Sequence, residues 1–146
     1  MVIAFSIILF GLAFVFRPLQ RNRFYLLNSA LVIIAAWYFE NNVFRIENIL
    51  SYKTLLLFLV FQLVSINITT FIAYGVDKRA AVRHAWRVPE RDLHALEFLG
   101  GWIGAYLAQK FFRHKTAKVS YQYMYKLMIV MEFVCVWAIL KLLHLL

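Results

Sequence analysis

Leu93–Phe112 reads LHALEFLGGWIGAYLAQKFF, and the path of this stretch decides the fold. It is long enough to cross ~30 Å of hydrocarbon as a helix rising ~1.5 Å per residue. Yet Gly100, Gly101 and Gly104 interrupt it, and it carries His94 and Glu97. Glycine permits a sharp turn and close approach of helices. A carboxylate inside a membrane is costly and marks either an ion pair or a functional group.

Four other apolar segments flank it: Val2–Phe16, Phe24–Phe39, Thr54–Val76 and Leu127–Leu146. The chain of 146 residues is 64% hydrophobic with a mean hydropathy of +0.72. A soluble domain is about 45–50% apolar, and its apolar residues do not form runs of this length. Composition therefore points to an all-α integral membrane protein with one domain over residues 1–146. Val2–Phe16 lacks a basic leader, and its charges Arg17, Arg21 and Arg23 follow the apolar run. That order predicts a retained helix with its N-terminus outside. The single cysteine, Cys135, lies within an apolar run and reads as a packing residue.

The net charge of +9 comes from 16 Lys and Arg against 7 Asp and Glu. In a membrane protein the first use of such an excess is orientation, because basic residues collect in cytoplasmic loops. If Leu93–Phe112 crosses, there are five spans, and the basic residues divide nine inside and seven outside. If it dips in and returns, or lies in the interface, thirteen fall inside. Three then fall outside: Arg45, Lys53 and Lys141. The second division is much the more one-sided. It predicts four transmembrane helices plus a glycine-broken re-entrant or interfacial fourth segment. Both termini are then outside a bacterial inner membrane. Residues 77–92 and 113–120 form cytoplasmic loops.

Asn67, Thr70, Tyr74 and Asp77 are spaced three, four and three apart, so they share one helical face. Such a face either hydrogen-bonds to neighbouring helices or lines a polar path. Beyond it come Lys78, Arg87 and Glu90, and later Arg113-His114-Lys115-Thr116. Arg offers a planar fork to phosphate, Lys a point charge, and His an acid or base near neutral pH. Glu97 is expected to pair with Lys78, Arg87, Lys110 or Arg113. Glu132, the second embedded acid, is expected to meet Lys126 or the interface. There is no phosphate-loop motif, no paired cysteine and no histidine–carboxylate spacing for a metal. The four histidines are scattered and read as surface or interfacial residues. No cofactor or metal is expected.

The central stretch also forms a pattern. It runs Asn67, Phe71, Tyr74-x-x-Asp77-Lys78-x-x-Ala81, Arg87-Val88-Pro89-Glu90, Gly100-Gly101-x-x-Gly104-Ala105 and Phe112-Arg113-His114-Lys115-Thr116-x-Lys118. In this it resembles the bacterial membrane-protein family catalogued as domain of unknown function 1294, over Asn67–Tyr121. The resemblance draws attention to Asp77, Lys78, Arg87, Glu90, Arg113, His114 and Lys115. Some members carry a cold-shock domain ahead of the membrane part. Two apolar helices stand there in this chain, so no nucleic acid is expected as a partner.

Three functions fit these residues. In the first, a basic cytoplasmic face holds an anionic, phosphate-bearing ligand, with a membrane lipid head group as the natural candidate. Lys78, Arg87, Arg113 and Lys115 bind it. Asp77, Glu90, Asn67, Tyr74, Gly100 and Gly101 support them, and His114 or Glu97 supplies acid–base chemistry. The second is a small transporter or channel working as a homo-oligomer. The third is a non-catalytic scaffold in which the polar cluster is an interhelical lock.

Overall fold

The computed structural model describes residues 2–15, 19, 22–42 and 52–142. Residue 16, Arg17, Arg21, Arg45 and residues 143–146 of the expected helices and charge count lie outside these. The described residues are helical throughout apart from short connections. The helices are α1 (Val2–Val15), α2 (Arg23–Asn42), α3 (Tyr52–Val82), α4 (Glu90–Leu96), α5 (Trp102–Phe112) and α6 (Val119–Leu142), with one wide turn, Glu97–Gly101, between α4 and α5. Among them α3 and α6 are long and apolar enough to cross a membrane.

Two boundaries differ from expectation. The third helix does not stop at residue 76 but runs on to Val82, so the first part of the expected loop 77–92 is helical. Asp77 causes this: its carboxylate is buried against partners from the hairpin, and the backbone stays helical to hold it there. The last helix starts at Val119 and not near Leu127, because Tyr121 and Tyr125 are buried against the hairpin and extend the packed face upward.

α3 is the axis against which every other level is measured. α1 packs on α2, α2 on α3, and α3 on α5 and the wide turn. One core joins α1, α2 and α3 through Phe5, Leu9, Val32, Phe58 and Phe61. A second joins α3, the hairpin and α6 through Ile66, Tyr74, Leu93, Leu96, Ala105 and Tyr121. The first helix begins beside Glu40, whose Oε2 accepts from the Val2 N–H at 3.3 Å, and passes Tyr25 at Leu9. Asn22, which precedes α2, donates to the Asp92 carbonyl at 3.0 Å. The Asp92 end of the bundle is therefore the end opposite Val2, Glu40 and Leu142.

Glu90–Phe112 forms a helical hairpin. The Val88 N–H bonds Asp77, Glu97 reaches Tyr74, and Gly100 lies at Asn67, whose Nδ2 donates to its carbonyl at 3.0 Å. The chain then climbs back: Gly104 N–H donates to Asn67 Oδ1 at 2.6 Å, Phe112 lies beside Gly75, and His114 meets Asp77. Asn67 and Asp77 are ten residues apart, so the tip lies about 15 Å below the open end. Gly100 makes the turn with φ +100, a conformation that side chains rarely adopt. Gly104 allows contact, since a Cβ there would lie 2.2 Å from the Asn67 carbonyl oxygen. Asn67 also serves α5 as a cap from another helix. It satisfies an N–H of the first turn that no side chain of α5 itself reaches.

Much apolar surface remains bare. Val130, Phe133, Val134, Trp137 and Ile139 on α6 and Ile3, Ile7 and Phe10 on α1 are all exposed. Patches this large call for a partner or a lipid solvent.

Candidate functional site

The polar face of α3 points into the hairpin. Asp77, fully buried, is a hub at the open end. Its Oδ1 accepts from Arg87 Nε at 3.3 Å and from the Val88 N–H at 3.2 Å. Its Oδ2 lies 3.1 Å from an Arg87 terminal nitrogen, 2.8 Å from His114 Nε2 and 3.3 Å from Lys115 Nζ. The tight turn after α5 makes this convergence possible. Arg113 closes the helix in the left-handed region at φ 45, and Lys115 takes φ 61. Two such residues two apart reverse the chain and turn His114 and Lys115 inward.

Lys115 is the link to the rest. Its side chain is 3% exposed, and Nζ also lies 3.4 Å from Glu90 and 4.4 Å from the centre of the Tyr121 ring. Glu90 accepts from Lys118 at 2.7 Å as well. Lys118, with Lys115 beside it, holds the Glu90 carboxyl below its ordinary range, against a smaller upward pull from burial. The bond to Asp77 raises the affinity of Arg87 for its proton.

Below the hub lies a second cluster. Glu97 Oε1 accepts from the Tyr74 hydroxyl at 2.5 Å and from the Tyr121 hydroxyl at 2.8 Å. Its Oε2 is 2.6 Å from His94 Nδ1. The His94 ring stacks on Tyr121 with centroids 4.4 Å apart. Gln109 donates to the Tyr74 hydroxyl at 3.1 Å, and Gln122 bonds Gln109 at 2.6 Å.

The expected site residues therefore fall into three groups. Asp77, Arg87, Glu90, His114 and Lys115 converge, and Lys118 joins them. Tyr74 and Glu97 converge one level lower, and Asn67, Gly100 and Gly101 build the tip. Lys78 and Arg113 form no ion pair among the described residues, and Arg113 is exposed. The expectation of a cationic partner for Glu97 is corrected. Its partners are two tyrosines and a histidine, because the cations stay at the open end while Glu97 lies about two helical turns beyond Glu90. Glu132 does not meet Lys126 either: its Oε2 is buried without a partner, and its Oε1 faces Gly100. His94, expected at the surface or the interface, is part of the buried cluster. Its position three residues before Glu97 was a usable signal, since i and i+3 share a helical face. Nothing local marks Tyr121, Gln109 or Gln122.

The profile of the family described as "Protein of unknown function (DUF1294)" matches residues 67–121. That span holds the whole hub, the hairpin and all of the lower cluster except Gln122. The chain is also 40% identical over 70 residues to "Uncharacterized protein YsdA" of Bacillus subtilis (strain 168), which is 48% of this chain and 79% of that protein. No solved structure matches.

Proposed function

The chain belongs to the family described as Protein of unknown function (DUF1294), and we propose that it is an integral membrane protein whose basic face binds an anionic, phosphate-bearing ligand, most naturally a lipid head group. The observation that carries this reading is Arg87. Buried Asp77 fixes its guanidinium through two nitrogens, while the side chain stays 51% exposed. A guanidinium has five donors, so an oriented fork remains for an outside oxyanion. Lys118, paired with Glu90, is 53% exposed, and Arg113 and Arg83 are exposed as well. Residues 77–92 and 110–118 together hold nine basic and three acidic side chains. Each base near an anionic bilayer surface adds about 1 kcal/mol of attraction.

The membrane reading rests on the bare apolar faces of α1 and α6 and on the two helices of spanning length. In it α1, α2, α3 and α6 cross, and the hairpin enters from the basic side and returns to it. A re-entrant backbone requires protein around it, and α3 and α6 supply that. The thirteen-to-three division of charge then orients the hub toward the cytoplasm of a bacterial inner membrane. A structural reading competes for Glu97 alone: it takes hydrogen bonds from three side chains inside the bundle, as an interhelical lock would.

Native mass spectrometry of the detergent-extracted chain tests the ligand. The wild type should retain phosphatidylglycerol in preference to phosphatidylcholine. The double variant Arg87→Gln, Arg113→Gln should lose that preference by about tenfold. Equal retention of both lipids by the wild type would overturn the reading.

A further inference from the structure

Between the descending arm of the hairpin and α6 lies a groove of about 500 Å³, within the usual range for small-molecule sites. Its deeper walls are apolar: Phe98 and Leu99 from the hairpin, Met124 and Met128 from α6. Methionine suits a wall that must fit a flexible chain. The polar residues of the groove, Glu90, Arg91 and His94, all lie at its open end. Glu90 is already matched by Lys115 and Lys118. Arg91 gives only Nε to Asp92, at 3.3 Å, and its side chain is 65% exposed. His94 is fixed from behind: Glu97 holds Nδ1, Tyr121 holds the ring face, and Nε2 makes no hydrogen bond among the described residues. The groove is thus greasy at depth, with a guanidinium and an oriented imidazole nitrogen at its mouth.

We propose that this groove binds the single apolar chain of an amphiphile whose acidic head, a carboxylate or a phosphate, accepts hydrogen bonds from the Arg91 guanidinium and from the Nε2–H of His94. The proposal rests on the membrane placement and basic face argued above, and it names a separate site on that face. Depth and chemistry agree. Glu90 to Leu99 is nine residues, so the groove follows α4 and the wide turn for about 13 Å below the interface. An acyl chain lying there replaces bilayer contacts with protein contacts, while its head stays level with the basic residues. Glu97 acts as a positioning residue, because it turns His94 so that only Nε2 faces the ligand.

The test uses the full chain in phosphatidylcholine nanodiscs, with diazirine-labelled oleate and diazirine-labelled lysophosphatidic acid as probes. Crosslinks are mapped by peptide mass spectrometry. Label is expected on Met124, Met128 and Leu99 in preference to Val134 and Trp137, which face outward on the same helix. Ala95→Trp and, separately, Met128→Trp should each reduce that label by about tenfold. His94→Ala should reduce it for the acidic probes and leave a diazirine monoacylglycerol unaffected. If oleate labels the groove and lysophosphatidic acid does not, the head is a carboxylate; the reverse result makes it a phosphate. Label no stronger in the groove than on Val134, or unchanged by both tryptophans in folded protein, overturns the proposal. The two readings fail separately. Arg87→Gln, Arg113→Gln should lose phosphatidylglycerol preference with groove labelling intact, and Ala95→Trp should do the opposite.

Discussion

At Asp77 a single buried carboxylate holds Arg87, His114, Lys115 and the Val88 N–H. Removing it would strip Arg87 of its direct carboxylate partner and leave Lys115 with Glu90 alone. Asp77→Ala should therefore destabilise by about 3 kcal/mol, the low end for breaking a buried pair because Arg87 is half exposed. Thermal unfolding in detergent measures this, and an unchanged melting temperature would deny the hub its structural role. Lys118→Gln, at an exposed pair, should cost less than about 1 kcal/mol. Glu90 gives the pH dependence. Its folded carboxyl titrates below the ordinary value, so its contribution is present above about pH 4 and is lost as pH falls through the folded value. Glu90→Gln should flatten the acid side of the melting profile relative to wild type. The convergence at Asp77 was half legible in the sequence. The polar spacing on α3 and the basic cluster after the glycines were plain, but their meeting depends on two left-handed residues that no pattern marks. The Glu97 partners are hidden from the sequence for a related reason. Charge suggests cations, whereas depth selects the neutral donors Tyr74 and Tyr121.

The hairpin is an element made by its glycines and by Asn67. Gly100→Ala should cost about 1–2 kcal/mol, because its φ of +100 is hostile to a Cβ. Gly104→Ala should cost more, about 3 kcal/mol, because the new methyl meets backbone of α3 at 2.2 Å and the helices must separate. Gly11→Ala is the contrast: nothing lies within 4 Å of the added methyl, and the helix gains up to about 1 kcal/mol of propensity. Melting temperatures should rank Gly11→Ala, wild type, Gly100→Ala, Gly104→Ala from high to low. A Gly104→Ala protein as stable as wild type would mean that α5 does not pack on α3 at this distance. The sequence showed that this segment was broken, since three glycines in five residues leave little doubt. It did not show the cap, because Asn67 lies 37 residues from the N–H it serves.

For the whole molecule the decisive question is the side on which each connection lies. The described part of α1 is 14 residues, or about 21 Å against a ~30 Å core. Charge asymmetry, not helix length, therefore carries the topology, and it can be tested directly. In a Cys135→Ser background, single cysteines at Arg83, Thr116, Asn42 and Leu142 occupy exposed positions. A membrane-impermeant maleimide applied to inside-out and right-side-out vesicles then reports their sides. With four spans and a returning hairpin, Arg83→Cys and Thr116→Cys react from the cytoplasmic side, and Asn42→Cys and Leu142→Cys from the other. With five spans, Thr116→Cys changes sides and Leu142→Cys joins Arg83→Cys. The second pattern would place His114 and Asp77 on opposite faces of the bilayer, although they are 2.8 Å apart in the fold. The hub and the re-entrant path thus stand or fall on the labelling of Thr116→Cys.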